Sequence, residues 1–107
     1  MGKTTESKLN VLVVDDDENI LLVLRQSLEK EGYHVNTAKS AEEALSTLKR
    51  SFFHIVITDI MMGEMSGVEL LMEIKKMNSL MQIFVMTSHS TLPRVIQCMQ
   101  GLSLIHI

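Results

Sequence analysis

Tryptophan is absent, tyrosine appears once and phenylalanine three times. A core must therefore be built from aliphatic side chains and from methionine, of which there are nine. The single cysteine, Cys98, excludes an internal disulfide and fits a reducing compartment. Its place in an apolar helical pattern predicts a buried, structural thiol. No apolar run approaches the ~18–20 residues that cross a bilayer. The polar start, MGKTTESKLN, has no hydrophobic signal region, and Gly2 after Met1 is too slight a match to imply myristoylation. These absences predict a cytoplasmic chain with no membrane role. An excess of positive charge is also missing. At a net charge of −3 this segment offers no general attraction for nucleic acid. There is no repeat, linker or low-complexity stretch, and 107 residues leave room for one domain with one core.

What is present is an alternation of short apolar runs and helical patterns. Leu9 to Val14 is too short for a helix and rich in valine, so it predicts a strand buried on both faces. A helix from about Glu18 to Glu31 follows, with Ile20, Val23, Leu24 and Leu28 on one face and Gly32 as its stop. Tyr33 to Thr37 predicts a second strand. Ser40 with Glu43 makes a capping box for a helix that turns Ala41, Ala44, Leu45 and Leu48 inward. His54 to Thr58 predicts a third strand. A second capping box, Ser66 with Glu69, opens a helix with Val68, Leu71, Ile74 and Met77 on one face. Gln82 to Met86 predicts a fourth strand. Thr91 caps a last helix that accepts Pro93 in its first turn and faces Val95, Ile96 and Met99 inward. This βαβαβαβα order implies a parallel α/β sheet, strand order 2-1-3-4, with helices on both faces.

The polar residues gather at strand ends. Asp15, Asp16 and Asp17 follow the first strand, Asp59 follows the third and Thr87 the fourth. Ligands of open parallel sheets bind outside the carboxyl ends of the strands, and strands one, three and four are neighbours in the expected order. Carboxylates gathered there repel one another, and loss of water worsens the repulsion. A hard divalent cation held by oxygen ligands, Mg²⁺ above all, removes the difficulty and adds a place for phosphate oxygens. One of the three aspartates must open the helix, and Asp17 is assigned that cap. Which carboxylate reacts does not follow from the spacing.

VLVVDDDENI, IVITDIMMGEMSGVELL and VMTSHS, in this order and spacing, resemble the response-regulator receiver domains of two-component signalling. The resemblance runs from Leu9 to about Gln100. It implies a flavodoxin-like, doubly wound fold in which Asp59 takes a phosphoryl group from a phosphohistidine on a sensor histidine kinase or phosphotransfer protein. It further implies that Asp16 and Asp59 bind Mg²⁺ directly, Asp15 through water and Met61 through its backbone carbonyl, and that Thr87 bonds a phosphoryl oxygen and carries the switch. Chemically this is carboxylate nucleophilic attack in an in-line phosphoryl transfer, with the metal offsetting charge. The implied role is a signalling domain, joined in the parent protein to an output domain, and not an enzyme turning over an external substrate. Gly67 matches the family's glycine before the third helix, where the chain must turn tightly.

Two departures stand out. Gly63 occupies the place of a usual proline, and no lysine follows Lys76, although the family carries one on a fifth strand before a fifth helix. The last residues, LSLIHI, look like translated sequencing-adapter read-through. The expected layout is thus a disordered segment 1–8, an incomplete receiver 9–101, and an atypical, non-native tail 102–107. The alternative is a makeshift fifth strand from Leu102 to Ile107. Two rival functions stand beside this one. A haloacid-dehalogenase-type phosphatase could use Asp15 and Asp17 as its D-x-D pair, but Asn19 stands where threonine or valine is expected and Asp59 is left unexplained. A degenerate receiver serving only for docking would have no need of Asp15, Asp16, Asp59 and Thr87 together. The four histidines are not spaced as metal ligands. His89, two residues past Thr87, reads as a surface loop residue or, with Met61, as a modulator of water access to the acyl phosphate.

Overall fold

The computed structural model describes residues 9–60, 67–78, 80–86 and 89–105. The expected disordered segment 1–8 and the Ser66 half of the second capping box lie outside them. The elements are β1 (Asn10–Val14), α1 (Glu18–Lys30), β2 (His34–Ala38), α2 (Ala41–Arg50), β3 (Ile55–Asp59), α3 (Gly67–Met77), β4 (Gln82–Met86), a 3-10 turn (His89–Thr91) and α4 (Leu92–Ile105). The strands form one sheet in the order β2-β1-β3-β4, and every pairing is parallel, as the alternation predicts.

Burial on both faces explains why β1 and β3 are unbroken apolar runs. Val11, Val13, Ile55 and Ile57 point into a core closed by Leu21, Leu24 and Leu28 of α1 and by Val95 and Met99 of α4. Leu12, Val14 and Val56 point the other way, against Ala41, Ala44 and Leu48 of α2 and Leu70 and Ile74 of α3. The split follows from chain direction. The step from β1 to β2 runs opposite to the steps from β2 to β3 and from β3 to β4. Right-handed crossovers then put α1 on one face and α2 and α3 on the other.

Local signals set the helix ends. Asp17 caps α1, accepting from the Asn19 amide, and Ser40 caps α2, accepting from the Glu43 amide. Glu43 reaches back to the amide of Lys39, not to that of the cap residue. α1 ends in a Schellman motif. The Gly32 amide bonds the Glu29 carbonyl and the Tyr33 amide bonds the Leu28 carbonyl. Gly32, at φ +97°, supplies the left-handed residue this motif needs.

Three expectations about side chains are corrected, as is the alternative of a fifth strand in the tail. Val23 is 42% exposed, and Leu21 takes the inward place beside Leu24 and Leu28. In α3 the buried set is Gly67, Leu70 and Ile74, while Val68 is 46% exposed, Leu71 is half-buried and Met77 is exposed. The apolar residues of α3 are compatible with either register, and contact of Gly67 with β3 selects one. Cys98 is exposed, because Val95 and Met99 define the inward stripe of α4 and Cys98 lies to its side. Finally, residues 102–105 continue α4 and are not strand. Once a helix exists, each added residue gains a bond at small cost, and between Gln100 and Leu102 the chain has only Gly101 to reverse it.

Candidate metal and phosphoryl site

β1 and β3 run side by side with Val14 opposite Thr58. The next residue of each strand therefore emerges at the same edge of the sheet, and these residues are Asp15 and Asp59. Both are held by backbone bonds. The Asp15 amide donates to the Ala38 carbonyl at 3.1 Å, and the amide after Asp59, that of Ile60, donates to the Met86 carbonyl at 3.0 Å. The Asp15 side chain also accepts from the Asp17 amide at 2.9 Å, which fixes its carboxylate over the turn into α1.

Asp15, Asp16 and Asp59 each offer a carboxylate oxygen within 4.8 Å of the others, Asp15 and Asp59 buried and Asp16 exposed. At such a spacing like charges repel by a few kcal/mol at an effective dielectric of about 20. A divalent cation with a taste for hard oxygen ligands offsets that repulsion, so the donor set fits Mg²⁺ or a similar ion. An exposed third carboxylate leaves the cluster open on the solvent side.

Gly67 belongs to this site for a reason that differs from the one expected. Its φ is not positive. A Cβ there would lie 2.3 Å from the Asp59 carbonyl oxygen and 2.7 Å from the Ile60 Cα, and the Gly67 amide donates to the Ile60 carbonyl at 2.9 Å. Only a residue without a side chain lets α3 start directly against the acidic strand end.

Of the other predicted site residues, Met61 and Thr87 lie outside the described residues, and His89 opens the 3-10 turn before α4. One pair at the edge of the site was not foreseen. Glu18, in the first turn of α1, meets Lys39, just past β2, at 2.8 Å. Hydrogen bonding and the Lys39 charge lower the Glu18 pKa, and Glu18 raises that of Lys39 in turn. Sequence offers no signal for this pair, because parallel neighbours alone bring it together.

Residues 11–102 match the family model of the response regulator receiver domain. The chain belongs to that family. It is 35% identical over 101 residues to the alginate biosynthesis transcriptional regulatory protein AlgB of Pseudomonas aeruginosa, a match that covers 94% of this chain and 22% of AlgB. The chain thus spans about a fifth of the length of such curated relatives. Among solved structures, a receiver domain protein from Clostridium thermocellum superposes with a TM-score of 0.73 at 35% identity, covering 87% of this chain and 75% of that one. The response regulator TrrA of Thermotoga maritima, solved in complex with Mg²⁺-BeF, superposes with a TM-score of 0.70 at 29% identity, covering 87% and 99%. A structure of the histidine kinase ThkA in complex with TrrA matches with a TM-score of 0.72 at 38% identity, covering 78% and 71%. This receiver domain of a two-component response regulator is a signalling domain, and among its described residues no helix is long and apolar enough to cross a membrane.

Proposed function

We propose that Asp59 accepts a phosphoryl group from the phosphohistidine of a sensor kinase, and that Asp16 and Asp59 hold the required Mg²⁺ directly, with Asp15 acting on it through water. The observation that carries this reading is the meeting of three carboxylates at the carboxyl ends of β1 and β3. A carboxylate oxygen of Asp59 attacks phosphorus, the phosphorus–nitrogen bond to the imidazole breaks, and the imidazole leaves as a neutral ring after gaining a proton. When bound, the ion supplies positive charge against the phosphoryl oxygens and the carboxylates. Asp15 orients from a strand end pinned to Ala38, while Asp16 faces solvent and can exchange water for the ion. Met61, through its carbonyl, and Thr87, through its hydroxyl, complete the proposed set by resemblance to the family. Met61 and His89 are further proposed to limit water at the acyl phosphate, so Met61→Asn should change the dephosphorylation rate.

The kinase complex of TrrA supports a histidine kinase as partner, and Mg²⁺-BeF on TrrA supports the ion. A cytoplasmic domain passing its state to an output region, without turnover of an external substrate, fits the transcriptional regulators it resembles. The decisive measurement is mass spectrometry after acetyl phosphate and Mg²⁺. The adduct should map to Asp59, disappear with EDTA and be absent from Asp59→Asn. A label on Asp15 instead would favour phosphatase-like chemistry, and a chain that binds no Mg²⁺ would be a docking module only.

A further inference from the structure

β2 has nothing in its own sequence to keep another strand away. Among the described residues it is an edge strand, paired with β1 on one side. Its five residues, HVNTA, include no proline and, with the histidine neutral, no charge. An edge strand without either is open to pairing with another chain.

The register shows which groups this edge offers. The His34 amide donates to the Leu9 carbonyl, and the Ala38 carbonyl accepts from the Asp15 amide. Backbone groups alternate sides along a strand, so those of His34, Asn36 and Ala38 face β1 and those of Val35 and Thr37 face outward. About a two-fold axis through Asn36 this outward set is its own complement. Val35 would exchange two bonds with Thr37 of a second copy, and Thr37 two with its Val35, in an antiparallel ladder. The exposed His34 and Asn36 bring no like charges to oppose it.

A residue of another element stands in the way. Arg25 of α1 reaches across the rim, and its Nη2 donates to the outward carbonyl of Val35 at 3.4 Å. That is long for a hydrogen bond, so the place of the charged head matters more than the bond. Arg25 Nε is buried without a hydrogen-bond partner, which costs stability that solvation in open water would return. The head nevertheless lies over the rim, and with Leu21, Leu22 and Thr37 the side chain lines a cleft of about 190 Å³. A pairing strand would have to displace it from the Val35 carbonyl. Two-fold pairing would also bring two such cations to one short ladder, where like charges repel more than in water. We infer that Arg25 guards the outer edge of β2 against the same strand of a second copy, and so keeps two sheets from joining through β2.

The test is sedimentation equilibrium of the whole chain over a concentration series, beside Arg25→Met, which keeps the stem and removes the charged head. Arg25→Met should self-associate at least about tenfold more tightly than the wild type. Adding Thr37→Pro should return association to the wild-type level, since the Thr37 amide faces outward and proline there takes no bond from β1. Hydrogen exchange on Arg25→Met alone supplies a reading that does not depend on the double variant folding. Its Val35 and Thr37 amides should be protected in a concentrated sample relative to a dilute one. Association of Arg25→Met no tighter than that of the wild type would overturn the inference. So would association that survives Thr37→Pro in a double variant with an unchanged circular dichroism spectrum, or Val35 and Thr37 amides that exchange equally at both concentrations.

Discussion

The two ends of the same central strands solve the same problem in opposite ways. At the amino ends, polar groups meet complementary partners. The Asn10 amide donates to His54 Nδ1 and the His54 amide to the Asn10 carbonyl, each at 2.9 Å, while the Gln82 amide reaches the His54 carbonyl at 3.3 Å. Phe52 lies edge-on to the His54 ring at 4.8 Å. At the carboxyl ends of β1 and β3, among the described residues, Asp15, Asp16 and Asp59 bring carboxylate oxygens within 4.8 Å of one another. A strand end that satisfies itself is finished structure. One that brings like charges together gains from an added cation, and that gain is where function enters.

Gly67→Ala should have the largest effect, because it forces a side chain into backbone at the functional end. The 2.3 Å approach to the Asp59 carbonyl cannot be relieved by a rotamer change, so a loss of about 3 kcal/mol is expected, together with weaker Mg²⁺ binding. Urea denaturation and Mg²⁺ titration measure the two effects. Wild-type affinity with unchanged stability would mean that α3 shifts freely, and the acidic end would then be less rigid than its partner end.

At the amino end His54→Ala should cost about 2 kcal/mol, by leaving the Asn10 amide without the ring nitrogen and Phe52 without its stacking partner. Mg²⁺ affinity should not move. If it did, the two ends would be coupled through the strands and the contrast would fail.

Asp59→Asn should do the reverse of an ordinary buried substitution. In metal-free buffer, removing one of three close carboxylates should raise stability by about 1–2 kcal/mol. Mg²⁺ should then stabilise the wild type, by about 2.7 kcal/mol at a hundredfold excess over its dissociation constant, and the variant much less. A variant less stable than the wild type without metal would show that the carboxylates are already compensated within the chain.

This contrast also marks what the sequence could reveal. Strand positions, their order and the aspartates at their ends are legible because a parallel sheet buried on both faces demands continuous apolar runs, and a run that stops in acid is conspicuous. Helix faces are less so. Val23 and Leu21, or Val68 and Leu70, are equally apolar, and only contact with the sheet decides between them. Cys98 is a like case, since Val95, Ile96 and Met99 lie close to it in sequence but only Val95 and Met99 are buried. Gly67 could be singled out, but not its purpose, since a close approach leaves the same trace as a tight turn. The Glu18–Lys39 pair exists only once distant segments meet.

The smallest effect concerns a bond that ties two elements on the α1 side and touches neither end. Tyr33 is buried, and its hydroxyl donates to the Met99 carbonyl in α4. Tyr33→Phe should cost about 1 kcal/mol at neutral pH. Burial raises the Tyr33 pKa above its ordinary value, and the charge of Glu31 adds to the rise. The unfolded chain therefore releases this proton first, near pH ~10. The neutral hydroxyl's contribution is complete below that pH and is lost as pH climbs through the folded-state value. Urea midpoints of wild type and Tyr33→Phe, measured from neutral pH to about pH 11, should differ at first and then converge on alkaline titration. A constant gap would mean that the bond survives ionisation and that α4 is not held through this proton.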